Sequence, residues 1–296
     1  MTVVFAVFVF FFVADFPEEA KWLSDDEKAF VKARLAEEFG NSQLDAKQTW
    51  RDVFGVLKDF KIILSGFTYF GLVVPGYGYA FFAPTILQSL GYTPVMTQLY
   101  SVPPMAAAFV LNIIVAIASD RYKRRYIFIL PTLVISAIGI IVLLTVHEGI
   151  GVRYGALFLV VVGLASATPI IVCWYSANRE STSMNTTVPP SDIPFQSLVG
   201  GHLRRSVGTA FQVGFGTCAV PIATFSVVAS DAPRYIRAYS LSLGFIGFTA
   251  ICCTLYLFAL ISENRKRAKG LSEHSWKSRE EKEKLGDLNP DYRYML

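Results

Sequence analysis

Between two long apolar stretches the chain reads "ASDRYKRRY", and its Asp120, Arg121, Arg124 and Arg125 are the side chains best placed to act on one another. A carboxylate followed by guanidinium groups at i+1, i+4 and i+5 can make charge-assisted hydrogen bonds across a short turn, joining the end of one helix to the start of the next. Such a latch can hold one side of a helical bundle closed until its parts rock. The plainer alternative is that these arginines only anchor the loop on the cytoplasmic side. Nothing else is equipped for reaction. His147, His202 and His274 are isolated from one another, and no carboxylate pair, nucleophile with its base, or metal-ligand cluster is spaced for catalysis. Cys173, Cys218, Cys252 and Cys253 all lie inside apolar stretches and read as small lipid- or core-facing side chains, not as a disulfide or zinc framework. The expectation is a protein that is not an enzyme, with no cofactor or metal and no nucleic-acid partner.

The elements that carry these residues are set by hydropathy. The chain is 53% hydrophobic and 17% charged, against about 25% charged in a soluble domain. Six stretches free of Lys, Arg, Asp and Glu are long enough to span a bilayer: Ile62–Leu87, Thr93–Ser119, Tyr126–Val146, Tyr154–Ala177, Ser206–Ser230 and Ala238–Ser262. Several hold Pro or Gly, as in "VVPGYGYAFFAP", "SVPPMAAA", "LPTLV" and "SATPII". Helix breakers inside a membrane need their backbone groups satisfied by neighbours or by a wet cavity, so the pattern argues for a packed bundle with an interior. No Asp, Glu, Lys, Arg or His falls within the six stretches, so they carry no obvious proton relay.

Orientation follows from the basic residues. Eight lie between Asp15 and Lys61, four in the loop after the second span, three after the fourth and nine in the tail, leaving Arg153, Arg234 and Arg237 for the other side. With 24 of 27 on one side, the segment before the first span and the C-terminus are expected to be cytoplasmic.

The chain divides accordingly. Residues 1–14, "MTVVFAVFVFFFVA", cover about 21 Å as a helix, too short to cross about 30 Å of hydrocarbon, and make a poor signal peptide. Residues 15–61 form a cytoplasmic loop with two short helices. The first begins at the capping box of Ser24 and Glu27 and stops at Gly40. The second groups Trp50, Val53, Phe54 and Leu57 on one face, suiting either the headgroup layer or the cytoplasmic ends of the spans. Residues 62–262 are the six-helix bundle, and residues 263–296 a polar cytoplasmic tail whose Arg265, Lys266, Arg267 and Lys269 lie near anionic lipid.

"SDRYKRR" resembles the Asp-Arg-x-x-Arg-Arg loop motif of the major facilitator superfamily, in the copy between the eighth and ninth of twelve helices. More narrowly, the chain resembles the fungal anion:cation symporter group, the allantoate and vitamin permease branch. The matching stretches, in order, are "DFPEEAKWLSDDEKAFVKARL", "YFGLVVPGYGYAFFAPTILQSLGYT", "GHLRRSVGTAFQVGFG", "ENRKRAKG" and "LGDLNPDYRYML". The resemblance implies an all-α membrane protein equivalent to the C-terminal half of a twelve-helix transporter, with residues 1–14 as the truncated sixth helix. It implies alternating access for a small organic anion (a carboxylate, vitamin or ureide), with protons as a possible co-substrate in an intact parent and the plasma membrane as its place. The chain is then expected to be a fragment; the alternative is a non-transporting six-span protein that binds a partner, or an inactive gene fragment. The oligomeric state is open. Where the family runs from Trp-x-x-x-Asn almost directly into Gly-His-x-x-Arg-Arg, this chain inserts the polar, Pro-rich Ser181–Gly200, which shows no helical period and whose length suits a small intron read in frame.

The resemblance also implies a midplane cavity lined by polar and aromatic side chains from discontinuous helices. The candidates are Tyr69, Tyr77 and Tyr79, beside Pro75, Gly76 and Gly78 where the first span is expected to break, together with Asn112, Asn178 and Gln212. For each, an interfacial, core or interhelical role is the competing reading. Around "FQVGFGTCAVP" the family tends to Asn-x-Gly-Gly, where this chain has Thr217, Ala219 and Val220.

Overall fold

The computed structural model describes residues 23–31, 50–89, 91, 93–122, 124–146, 149–178, 195–227, 231 and 235–269. Among them every regular element is helical, and six helices are long and apolar enough to cross a membrane. The all-α expectation holds.

Among the described residues two short helices precede the spans. In α1 (residues 25–31) the Ser24 N–H and hydroxyl both donate to Glu27 Oε2 at 2.9 Å, and the Glu27 N–H donates to Ser24 Oγ at 3.4 Å. This reciprocal capping satisfies donors that a helix start leaves without partners. The expected stop at Gly40 lies outside the described residues, as do residues 1–14 and the tail beyond Lys269. Helix α2 (Trp50–Leu57) packs on the later spans through Val56 and Leu57 and leaves Phe54 61% exposed. Of the expected apolar face, Leu57 packs on the core, Val53 is half-buried and Phe54 stays exposed, while the side chain of Trp50 lies outside what the structure describes.

The spans are α3 (Phe60–Ser89), α4 (Pro94–Tyr122), α5 (Arg125–Thr145), α6 (Ile150–Ala177), α7 (Phe195–Thr217) with α8 (Val220–Ser226), and α9 (Ile236–Ala268). Helices α3 and α6 form the centre. α5 and α4 lie on α6, α9 bridges α3 and α5, and α7 and α8 lie on α3. The α5–α6 contact is the closest. A Cβ on Gly139 would stand 2.9 Å from Ala156 O and Val160 N, and one on Gly163 would stand 2.7 Å from Ser136 N. Small residues here let two backbones touch, and that is how helices associate where lipid removes the hydrophobic drive.

Four expectations are corrected. Helix α3 does not break at Pro75–Gly78 but runs through Pro75 and Pro84. The interruption falls instead in the fifth span, expected as one helix over Ser206–Ser230, which divides into α7 and α8. Residues 195–200, assigned to the inserted loop, are the first turns of α7, since no proline follows Pro194 until Pro221. The last helix continues six residues past Ser262 to Ala268, because nothing in "ENRKRA" opposes helix. The rest of the expected insertion, 181–194, lies outside the described residues.

Candidate functional site

The interruption of the fifth span has a local cause. Pro221 has no N–H to return to Thr217 O, and its ring crowds that carbonyl, so α7 ends at Thr217. The chain tightens: the N–H groups of Cys218 and Ala219 donate three residues back, to Phe215 O at 3.1 Å and Gly216 O at 3.0 Å. The Thr217 hydroxyl donates to Val213 O at 2.6 Å, and Cys218 Sγ donates to Gly214 O at 3.4 Å. With backbone groups met in these ways, a break inside a membrane is tolerable.

One turn and a half before the break stands Gln212, 0% exposed, with neither Nε2 nor Oε1 hydrogen-bonded. An amide kept from water without a partner costs roughly 2–7 kcal/mol. Its surroundings follow from helix geometry. Gly208 and Gly216 lie one turn to either side on the same face of α7. The hydroxyl end of Tyr175, from α6, fills the space over Gly208, and the ring of Tyr69, from α3, fills the space over Gly216. A side chain at either glycine would collide with those rings. Helices α6 and α3 therefore present one tyrosine above and one below the buried amide of α7. Beside them Phe215 packs against Phe67, Phe70 and Phe211 at centroid distances of 5.0, 5.4 and 5.4 Å.

Tyr69 and Gln212 are thus brought together, and Tyr175 joins them without having been anticipated; its signal was its place next to Trp174 in "WYSAN". Asn178 is 1% exposed at the C-cap of α6, its N–H donating to Trp174 O at 3.4 Å. Nearby, Ser176 and Thr209 hydroxyls lie 3.4 Å apart and tie α6 to α7. The other candidates do not join this group. Tyr77 is 43% exposed, Tyr79 is buried in the core with its ring 5.7 Å from Phe82, and Asn112 is half-buried on α4, which packs chiefly on α6.

In the charged turn, Arg125 Nη2 meets Asp120 Oδ1 at 3.2 Å, linking the end of α4 to the start of α5. Arg125 is mostly enclosed and Asp120 exposed, while Arg121 and Arg124 lie in the open. A pair with one exposed partner is worth at most about 1 kcal/mol, so it orients the turn more than it stabilises the fold.

Residues 1–188 match the sequence model of the Major Facilitator Superfamily. The chain belongs to this superfamily. Similar superfamily proteins include the MFS transporter prlL of a fungal species, 28% identical over 266 residues that cover 88% of this chain and 49% of that protein. The high-affinity nicotinic acid transporter of Saccharomyces cerevisiae is 28% identical over 283 residues, covering 94% of this chain and 48% of that protein. The MFS-type transporter cnsO of Penicillium expansum is 29% identical over 286 residues, covering 93% and 51%. The chain spans about half the length of these curated relatives, and no solved structure matches it. This major facilitator chain is accordingly an integral, multi-pass membrane protein of a transporter family, not an enzyme.

Proposed function

We propose that the six spans are the C-terminal half of a major facilitator transporter of the fungal anion:cation symporter group, and that the parent moves a small organic anion (a carboxylate, vitamin or ureide) by alternating access. The observation that carries this reading is the buried, unpartnered Gln212 between Tyr69 and Tyr175, one turn and a half before the α7–α8 break. An amide with both donors and an acceptor unspent suits a ligand's polar end, and flat rings suit its body. The likeness to a nicotinic acid transporter supports a small carboxylate as substrate class. Asn178 closes the same helix, α6; Tyr77 and Asn112 are assigned to the face toward the other half, and Tyr79 to packing. Asp120, Arg121, Arg124 and Arg125 form the cytoplasmic latch, with the C-terminus cytoplasmic and the plasma membrane as location. Proton coupling needs groups outside the six charge-free stretches 62–87, 93–119, 126–146, 154–177, 206–230 and 238–262, which hold no Asp, Glu or His.

The test is a chimera joining the first half of the nicotinic acid transporter to this chain, expressed in cells lacking nicotinate uptake. Saturable, competed accumulation of a labelled small carboxylate supports the proposal. A chimera that reaches the plasma membrane and accumulates none of a carboxylate, vitamin and ureide panel overturns it, in favour of a non-transporting six-span protein.

A further inference from the structure

The outer side of α9 carries a stripe used by neither the core nor the candidate site. Phe258, Ile261, Ser262, Arg265, Lys266 and Lys269 recur at i, i+3, i+4, i+7, i+8 and i+11 and line one open concavity of about 430 Å³. That spacing places them on a single helix face. Its volume falls within the roughly 300–1,000 Å³ typical of ligand sites. Phe248, Ile251 and Leu255 continue the same exposed face toward the middle of the helix. From Phe248 to Phe258 the helix rises about 15 Å, half of a hydrocarbon layer of about 30 Å. The face therefore runs from one leaflet's depth of apolar surface, through the Ser262 hydroxyl, to three cations within about 10 Å of helix. Glu263, the acid of that turn, is half-buried on another face with contacts of its own.

We propose that this face binds one anionic phospholipid, its phosphate among Arg265, Lys266 and Lys269, its glycerol region at Ser262 and an acyl chain along Phe258, Leu255 and Ile251. Cations at a helix C-terminus are favoured by the helix dipole alone, but that accounts for neither the shared face nor the apolar track beneath it. A free anion would use the cations and leave the track empty. The two parts together, in this order and at this depth, match a lipid.

The full chain, purified in detergent, is titrated with phosphatidylserine or phosphatidylcholine of identical chains and examined by native mass spectrometry. The wild type is expected to retain one phosphatidylserine about fivefold more readily than phosphatidylcholine, and less so as salt screens the charges. The R265Q/K266Q/K269Q variant is expected to lose that preference, R265K to keep it, and F258S to weaken both lipids. R121Q/R124Q, which removes two exposed cations elsewhere, should leave it intact. Circular dichroism confirms that each variant stays helical. Equal retention of the two lipids by the wild type overturns the proposal, as does an equal loss in R121Q/R124Q. Complete displacement of phosphatidylserine by millimolar inorganic phosphate also overturns it, since the site would then serve a soluble anion.

Discussion

Helix α3 passes through Pro75 and Pro84 without interruption, whereas the span after α6 stops at Thr217 and restarts at Val220, with Pro221 in the first turn of α8. Each proline removes a hydrogen bond and crowds the carbonyl four residues earlier, a cost of about 3 kcal/mol in a helix interior. The difference lies in what surrounds them. In the most apolar stretch of α3, 61% of residues are buried, with α6, α7 and α9 on its sides; in the α7–α8 span the share is 28%. Gly66, Gly71 and Gly78 bring α3 against neighbouring side chains from Phe211, Thr249 and Ser242. Enclosure of this kind leaves the proline-bearing backbone no other course to take. Pro221 is exposed, and its segment is free to satisfy its backbone by turning. A helix breaker in a membrane bundle therefore breaks where packing permits it.

If enclosure decides the outcome, crowding the two regions must have unequal costs. Gly71→Leu on α3, which drives a side chain into Thr249, Phe248 and the Phe245 carbonyl of α9, is expected to lower stability by about 3 kcal/mol, read from thermal unfolding in detergent. Gly214→Leu, on α7 with open space around its missing Cβ, should stay within about 0.5 kcal/mol. Equal losses would remove the distinction.

The next test acts on the break itself. Pro221→Ala restores the N–H and removes the ring, so α7 and α8 should fuse and amide protection at Cys218–Ile222 should rise by about 1–3 kcal/mol in hydrogen exchange. Pro75→Ala should change protection in α3 by under about 1 kcal/mol, since its neighbours already impose the helix. A third change separates structure from function at the buried amide. Gln212→Leu should raise stability by about 1 kcal/mol, because it removes an unpaired polar group, while abolishing uptake by the chimera. A variant that is less stable and still transports would make Gln212 interhelical glue.

The smallest effect is expected outside both regions. The Ser24 N–H and hydroxyl hold the Glu27 carboxyl below its ordinary value. A lowered acid stabilises the folded form at neutral pH, and that contribution is lost as pH falls through the lowered value. Helical chemical shifts of residues 25–31 should therefore weaken on acidification, and Ser24→Ala should weaken them at neutral pH and flatten the dependence.

Much of this was legible beforehand. The Ser24–Glu27 cap is a contact between residues three apart, and five spans needed only length and hydropathy. The site was less so. Tyr69 and Gln212 could be named as polar groups in apolar stretches, yet no spacing relates residue 69 to 212, and Tyr175 entered only because Gly208 leaves room for it. The misplacement of the break has the same origin. "VVPGYGYAFFAP" carries a stronger local signal than "FGTCAVP", but the local signal states only where a helix is weakened.

From the order of its residues alone the chain settles that its described elements are helical, that six of them are long and apolar enough to cross a membrane, and where its charges cluster, because each of these depends on composition or on neighbours within one turn. Which proline interrupts a span, which tyrosine meets which glycine, and which amide is left without a partner were decided by the packing of α3, α6 and α7. Those outcomes depend on which surfaces the assembled helices bring within reach of one another, and no single helix contains that information.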